Sequence, residues 1–169
     1  MRRAIALCWL ITINPLGAAL YAKYISEQGD VSGTWVLDLS KSRLSKSQKE
    51  GLTDYVLTIS HRGAQIEIVR RIKKGGRELV DDFSYYTDGR QEQVLLAQGM
   101  DVRTTWRKNR LYRRISSGTS GPFGSITVLT EDEWKLSPDG ATLTRTVRTS
   151  RSGLDTSQSS EKYVFSRRS

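Results

Sequence analysis

The chain has 169 residues, with 27 Lys and Arg against 18 Asp and Glu, one cysteine and one histidine. One cysteine excludes an internal disulfide, and one histidine beside it excludes a Cys/His metal cluster or a thiol–imidazole pair. The length suits one domain with a single sizeable core.

Arg2 and Arg3 precede an apolar run from Ala4 to Ile13, Asn14-Pro15 breaks it, and Gly17, Ala18, Ala19 and Ala22 follow. That order reads as a secretory signal peptide over residues 1–22, cut after Ala19 or Ala22. The Ala19 cut is the better one, with small residues at Gly17 and Ala19, whereas Leu20 lies three before the other junction. The alternative is an uncleaved membrane anchor, since Ala4 to Ala22 is nearly long enough to span a bilayer. Cys8 leaves with the signal, so the mature chain carries no thiol chemistry. It keeps 25 basic and 18 acidic residues, a net of +7. The expected location is periplasmic or secreted, which disfavours nucleic acid as a target. Anionic envelope components are the charged partners that fit, with membrane contact only peripheral or through an uncleaved signal.

After Lys23 to Val31, Ser32 to Leu39 alternates as a first strand with Gly33, Trp35, Leu37 and Leu39 on one face. Ser40 to Leu52 lacks apolar periodicity and reads as a long loop with at most one helical turn. From Thr53 the chain becomes a meander. Tyr55, Leu57 and Ile59 share a face, Arg62-Gly63 turns, and Ile66, Ile68, Arg70 and Ile72 share the next. Gly75-Gly76 turns the chain again. Leu79 to Tyr86 runs to Thr87-Asp88-Gly89, a hairpin signal, after which Gln91 to Leu96 is expected to pair back.

Val102, Thr104 and Trp106 alternate, Lys108-Asn109 is a polar turn, and Leu111 to Ile115 follows. Ser116 to Gly124 reads as a Gly-rich rim loop, and Ile126 to Leu136 as a strand bulged near Glu131-Asp132. Ser137-Pro138-Asp139-Gly140 suits a type I turn before the last strands, Ala141 to Thr149 and Ser160 to Arg167. The pattern predicts an all-β fold, an antiparallel up-and-down β-barrel of about 8–10 strands.

Two features carry a family resemblance. Gly33-x-Trp35 opens the first strand, and a basic residue closes the last. The chain over residues 31–168 resembles the lipocalin-like (calycin) barrels. There the glycine lets the chain cross the barrel floor, the tryptophan plugs it, and a late arginine packs over the tryptophan. Arg167, on one face with Tyr163 and Phe165, matches that arginine, with Arg168 the alternative. The runs Ser32-Gly-Thr-Trp-Val-Leu-Asp-Leu-Ser-Lys-Ser42, Tyr86-Thr-Asp-Gly89 and Trp134-Lys-Leu-Ser-Pro-Asp-Gly140 are similar to uncharacterised secreted bacterial proteins of that kind. The resemblance implies a structural floor at Gly33, Trp35 and Arg167.

For chemistry, His61 sits at a strand end and reads as an exposed turn residue without a catalytic partner. Asp81-Asp82 and Glu131-Asp132-Glu133 lack the spacing of a calcium loop and read as a solvated or salt-bridged face. The glycines at 118, 121 and 124 do not join a strand to a helix and lack the Lys that follows in a phosphate loop. No enzyme and no cofactor are expected. Parity from Trp35 points Tyr55, Leu57, Ile66, Ile68, Phe83, Tyr85, Trp106 and Phe165 inward. Of these Tyr55, Phe83, Tyr85 and Trp106, with Arg70, are candidates to bind a small apolar or amphipathic ligand. Arg70 must answer a ligand acid or pair with Asp81, because a buried arginine needs a partner. Arg103, Arg107, Arg113 and Arg114 form a second set suited to a polyanion or an acidic partner, with a filled core behind them.

Overall fold

The computed structural model describes residues 29–92, 99–121, 124–153 and 156–168. The targeting segment over 1–22 lies outside these, as does most of the strand read over Gln91 to Leu96. Ten strands and one short helix follow in order: β1 (Gly33–Leu37), α1 (Lys46–Lys49), β2 (Leu52–Arg62), β3 (Gln65–Lys74), β4 (Arg77–Tyr86), β5 (Asp88–Gln91), β6 (Met100–Arg107), β7 (Arg110–Gly121), β8 (Gly124–Leu136), β9 (Thr142–Ser152) and β10 (Ser157–Arg167). They form one antiparallel sheet in the order β4-β3-β2-β1-β10-β9-β8-β7-β6-β5. The up-and-down, all-β expectation therefore holds.

Local chemistry sets the turns. Gly75 and Gly76 both take positive φ, 56° and 75°, as the two-residue hairpin between β3 and β4 requires. Between β8 and β9 the Gly140 amide donates to the Ser137 carbonyl at 2.9 Å, closing the turn read from Ser-Pro-Asp-Gly. In the Ser40–Leu52 stretch, Arg43 bridges antiparallel to Lys162, and Ser45 caps α1 by accepting from the Gln48 amide. The loop is thereby laid along β10 rather than left as a free lid.

Closure into a barrel is not what the ladder gives. Among the described residues β4 and β5 do not pair with each other, so the sheet is open between them. The Thr87-Asp88-Gly89 signal does not make a hairpin, because the Thr87 amide donates to the Ala64 carbonyl at 2.8 Å and Thr87 is fully buried. The chain then turns away, and β5 pairs with β6. Two further expectations fail. Ser116 to Gly124 is mostly strand, with β7 and β8 paired residue by residue out to Gly121↔Gly124. The β8 registers also run through Glu131-Asp132 without a bulge.

The open sheet is nonetheless rolled about one core. Trp35, Leu57, Ile66, Ile68, Leu111, Trp134, Leu143 and Phe165 are all nearly inaccessible and share its concave side. Contacts cross that side: His61 on β2 stacks on Trp106 of β6, and the Arg113 guanidinium on β7 lies 3.7 Å from the Tyr85 ring on β4. Burial mainly on one face follows from period-two alternation. The outer face carries mostly charge and hydroxyls, with Val164 buried there beneath the 40–45 stretch and Val69 and Val80 exposed. Among the described residues no helix is long and apolar enough to cross a membrane, and no group of three or more His, Cys, Asp or Glu residues could hold a metal ion.

Candidate functional site

The concave side is polar as well as aromatic. Arg70 and Asp81 are cross-strand partners on β3 and β4, and the Arg70 Nε donates to Asp81 Oδ1 at 2.9 Å. That hydrogen bond holds the Asp81 carboxyl below the ordinary carboxylate range. Arg145 on β9 grips Asp132 on β8 with Nε at 3.0 Å and Nη2 at 2.7 Å, and its guanidinium lies 5.1 Å from the Trp134 ring centre. Arg113 holds Glu92 through both terminal nitrogens, at 2.6 and 3.2 Å. The Tyr163 hydroxyl donates to Glu161 at 2.8 Å. Burial pushes the Tyr85 phenol up to about 12.

All five candidate ligand residues face this side, each in contact with other groups of the chain. Tyr55 and Tyr85 are buried in the core, Tyr55 edge-on to Tyr163 and Phe165. Phe83 is tilted on Tyr85 with the Arg70 guanidinium 5.6 Å from its centre. Trp106 is stacked on His61 at 5.5 Å. Arg70 takes its acid from Asp81, the second of the two partners open to it. His61 is not the exposed turn residue expected: its side chain is 7% exposed. Burial lowers its pKa, with Asp30 partly offsetting this.

At the floor, Trp35 is inaccessible and its indole donates to the Val31 carbonyl at 2.9 Å. The Arg167 guanidinium lies over that ring, 4.5 Å from its centre, and its Nε donates to the Gly140 carbonyl at 2.9 Å. Gly33 has φ of 134°, and a Cβ there would stand 3.0 Å from Arg167 Nη1. Only glycine meets that backbone and that neighbour together.

The opposite, convex side of β7–β10 is different in kind. A groove of about 560 Å³ is lined by Arg43, Arg110, Lys135, Arg148 and Lys162, with Thr144, Thr146 and Ser160 between them. Glu133 is the one carboxylate lining it, and it is taken by Arg110 at 2.8 Å. The sheet register puts like charges directly opposite one another: Arg103↔Arg114, Arg107↔Arg110 and Arg110↔Lys135. The Arg43–Lys162 bridge adds a fourth like-charged pair. Two cations about 4 Å apart repel by about 1 kcal/mol even in bulk water, so such pairs are costly where nothing intervenes. Acids relieve part of this: Glu131 stands between Arg114 and Arg148, Arg103 lies 3.4 Å from Asp101, and Arg110 holds Glu133.

Of the basic set read from the sequence, Arg103, Arg107 and Arg114 are on this side, and Arg113 is not. Its parity turns it inward, where it is 7% exposed and paired with Glu92. Sequence reasoning missed Arg43, Lys135, Arg148 and Lys162 as partners of that set. The outward parity of the last three against Trp134 and Phe165 was a usable signal, but the strand order that brings them together was not legible. No protein-family model matches the chain, and no curated protein matches it either.

Proposed function

We propose that this protein is a non-catalytic periplasmic or secreted binding module whose convex β7–β10 face takes an extended polyanion. The observation that carries this is the groove where Arg43, Arg110, Lys135, Arg148 and Lys162 meet around one carboxylate. An anionic polymer lying across the strands relieves the cross-strand repulsion that the free sheet bears. The interior then serves as scaffold, with Arg70, Arg113 and Arg145 each answered by an acid of this chain. The scaffold itself we take as a lipocalin-like barrel with its ladder open at one seam. The stack of Arg167 on Trp35, with Gly33 beneath the guanidinium, supports that kinship.

The test is calorimetric titration with heparin and with lipopolysaccharide over a salt series. Affinity is expected to fall steeply with salt, as screening of several contacts requires. The Lys135→Glu/Lys162→Glu variant is expected to lose at least tenfold. A flat salt dependence, or unchanged affinity in that variant, overturns the assignment.

A second reading has one observation of its own. The Trp106 and Trp134 indole N–H groups are buried on the concave side without an acceptor among the described residues, and unsatisfied buried donors are costly. A small amphipathic ligand offering oxygens to them is the occupant this favours. Native mass spectrometry of protein from its own host tests it: a lipid-sized mass released on unfolding supports the interior ligand, and a bare chain opposes it.

A further inference from the structure

Four of the five large apolar side chains left exposed in the described residues lie on one hairpin. Val69 is 44% exposed, Leu79 55%, Val80 54% and Tyr86 41%, all on β3 and β4. Tyr86 stands at the far end of the hairpin, opposite Gln65 and under the Arg90 guanidinium, which leaves Val69, Leu79 and Val80 together. Scattered exposed apolar residues need no explanation, whereas such a group does. Near the Gly75-Gly76 tip both faces take part. Val80 and Val69 lie diagonally on the outer face, and Leu79 is opposite Ile72 on the inner one.

The same tip is cationic. Lys73 and Lys74 end β3 and Arg77 begins β4. The α1 loop is tied alongside by the Lys74 ammonium donating to the Ser47 carbonyl at 2.6 Å and the Gly75 amide donating to the Gly51 carbonyl at 2.8 Å. That tie sets Lys46 and Lys49 beside the hairpin. The acids nearby are mostly answered: Glu78 is shared by Arg71 at 3.2 Å and Lys73 at 3.9 Å, Asp81 is held by Arg70, and Asp54 stands opposite Lys73. Glu50 ends α1, and Asp82 stands opposite Val69, on the side of the patch away from the tip. Exposed branched side chains ringed by lysine and arginine are the composition of a segment that lies in the headgroup region of an anionic bilayer.

We propose that the β3–β4 tip docks on an anionic phospholipid surface, with Leu79 and Val80 entering the headgroup–acyl boundary and Lys73, Lys74 and Arg77 facing the lipid charges. Apolar insertion separates this site from the convex groove, which has only charge and hydroxyls to offer. The inference stands independently of the polyanion reading.

The experiment is co-sedimentation of the mature chain with vesicles of phosphatidylcholine alone and of phosphatidylcholine mixed with phosphatidylglycerol. Binding is expected to the mixed vesicles and to be weak on phosphatidylcholine. Leu79→Asp/Val80→Asp is expected to lose about tenfold or more, the scale set by losing two apolar side chains from the interface. Heparin affinity is expected to remain that of the parent, which also shows that the variant is folded. A Leu79→Trp variant is expected to shift its emission to the blue on mixed vesicles. Parental vesicle binding by Leu79→Asp/Val80→Asp, or an unshifted Leu79→Trp emission, overturns the docking proposal. Loss of vesicle binding in Lys135→Glu/Lys162→Glu with the hairpin variant unaffected reassigns lipid contact to the groove.

Discussion

Trp35 shows how much one side chain settles. Its ring is inaccessible, its N–H is satisfied by Val31, and Arg167 covers its face. Truncation leaves a large cavity that neither β1 nor the Arg167 stack can collapse into, so Trp35→Ala is expected to cost about 3–5 kcal/mol. Denaturant unfolding measures it, and an unmoved midpoint would remove Trp35 from the core. His61 is the residue whose environment the sequence concealed, because its partner Trp106 lies four strands away in chain order. Burial lowers its pKa below the 6.5 of an unperturbed imidazole. Above that pH both folded and unfolded states are neutral there. As pH falls through 6.5 the unfolded chain takes the proton first, so stability is lost on the acid side. The parent is therefore expected to lose stability below pH 6.5 by a component that His61→Gln lacks. Equal slopes in the two proteins would show that His61 does not set it.

At the scale of elements, turn chemistry was the most legible part of the chain. Gly75-Gly76 and Ser137–Gly140 formed the turns their residues dictate, because a two-residue glycine loop and a Pro-second turn are local decisions. Thr87-Asp88-Gly89 did not, because the Thr87–Ala64 hydrogen bond and burial of Thr87 outweighed a local preference. The β6–β7 turn is also strained, since Lys108 is, among the described residues, the non-glycine residue with positive φ, at 58°. That conformation costs an ordinary residue roughly 1–2 kcal/mol, against a smaller entropic cost for glycine. Lys108→Gly is expected to raise the unfolding free energy by up to about 1 kcal/mol, read as a raised denaturant midpoint. A lowered midpoint means that the lysine stem makes packing contacts worth more than the strain.

At the scale of the molecule, the charge pattern differs between the two sides of the sheet, although the outer side also holds the ion pairs Arg110–Glu133 and Arg103–Asp101. Inside, Arg70, Arg113 and Arg145 each hold a carboxylate; outside, β6–β8 set arginine and lysine against one another. Exposed repulsion is screened over a Debye length of about 8 Å at physiological ionic strength, and buried pairs are screened much less. Thermal stability is therefore expected to rise as sodium chloride is raised from low concentration, and to rise further on adding heparin. A melting temperature that falls with salt would mean that surface attractions outweigh the like-charged rows.

The floor of Gly33, Trp35 and Arg167 was legible only through the family resemblance, while the sequence by itself determined most strands, most turns and the inward parity of Trp35, Tyr55, Tyr85 and Trp106. These depend on period-two alternation and on single backbone conformations, which neighbouring residues encode. Only the tertiary structure decided that the ladder opens between β4 and β5, that Arg113 faces Glu92, and that Arg43, Lys135, Arg148 and Lys162 share one groove. Each of those depends on which strands become neighbours and in what register. Register is set by long-range burial of the whole sheet, and no single segment carries it.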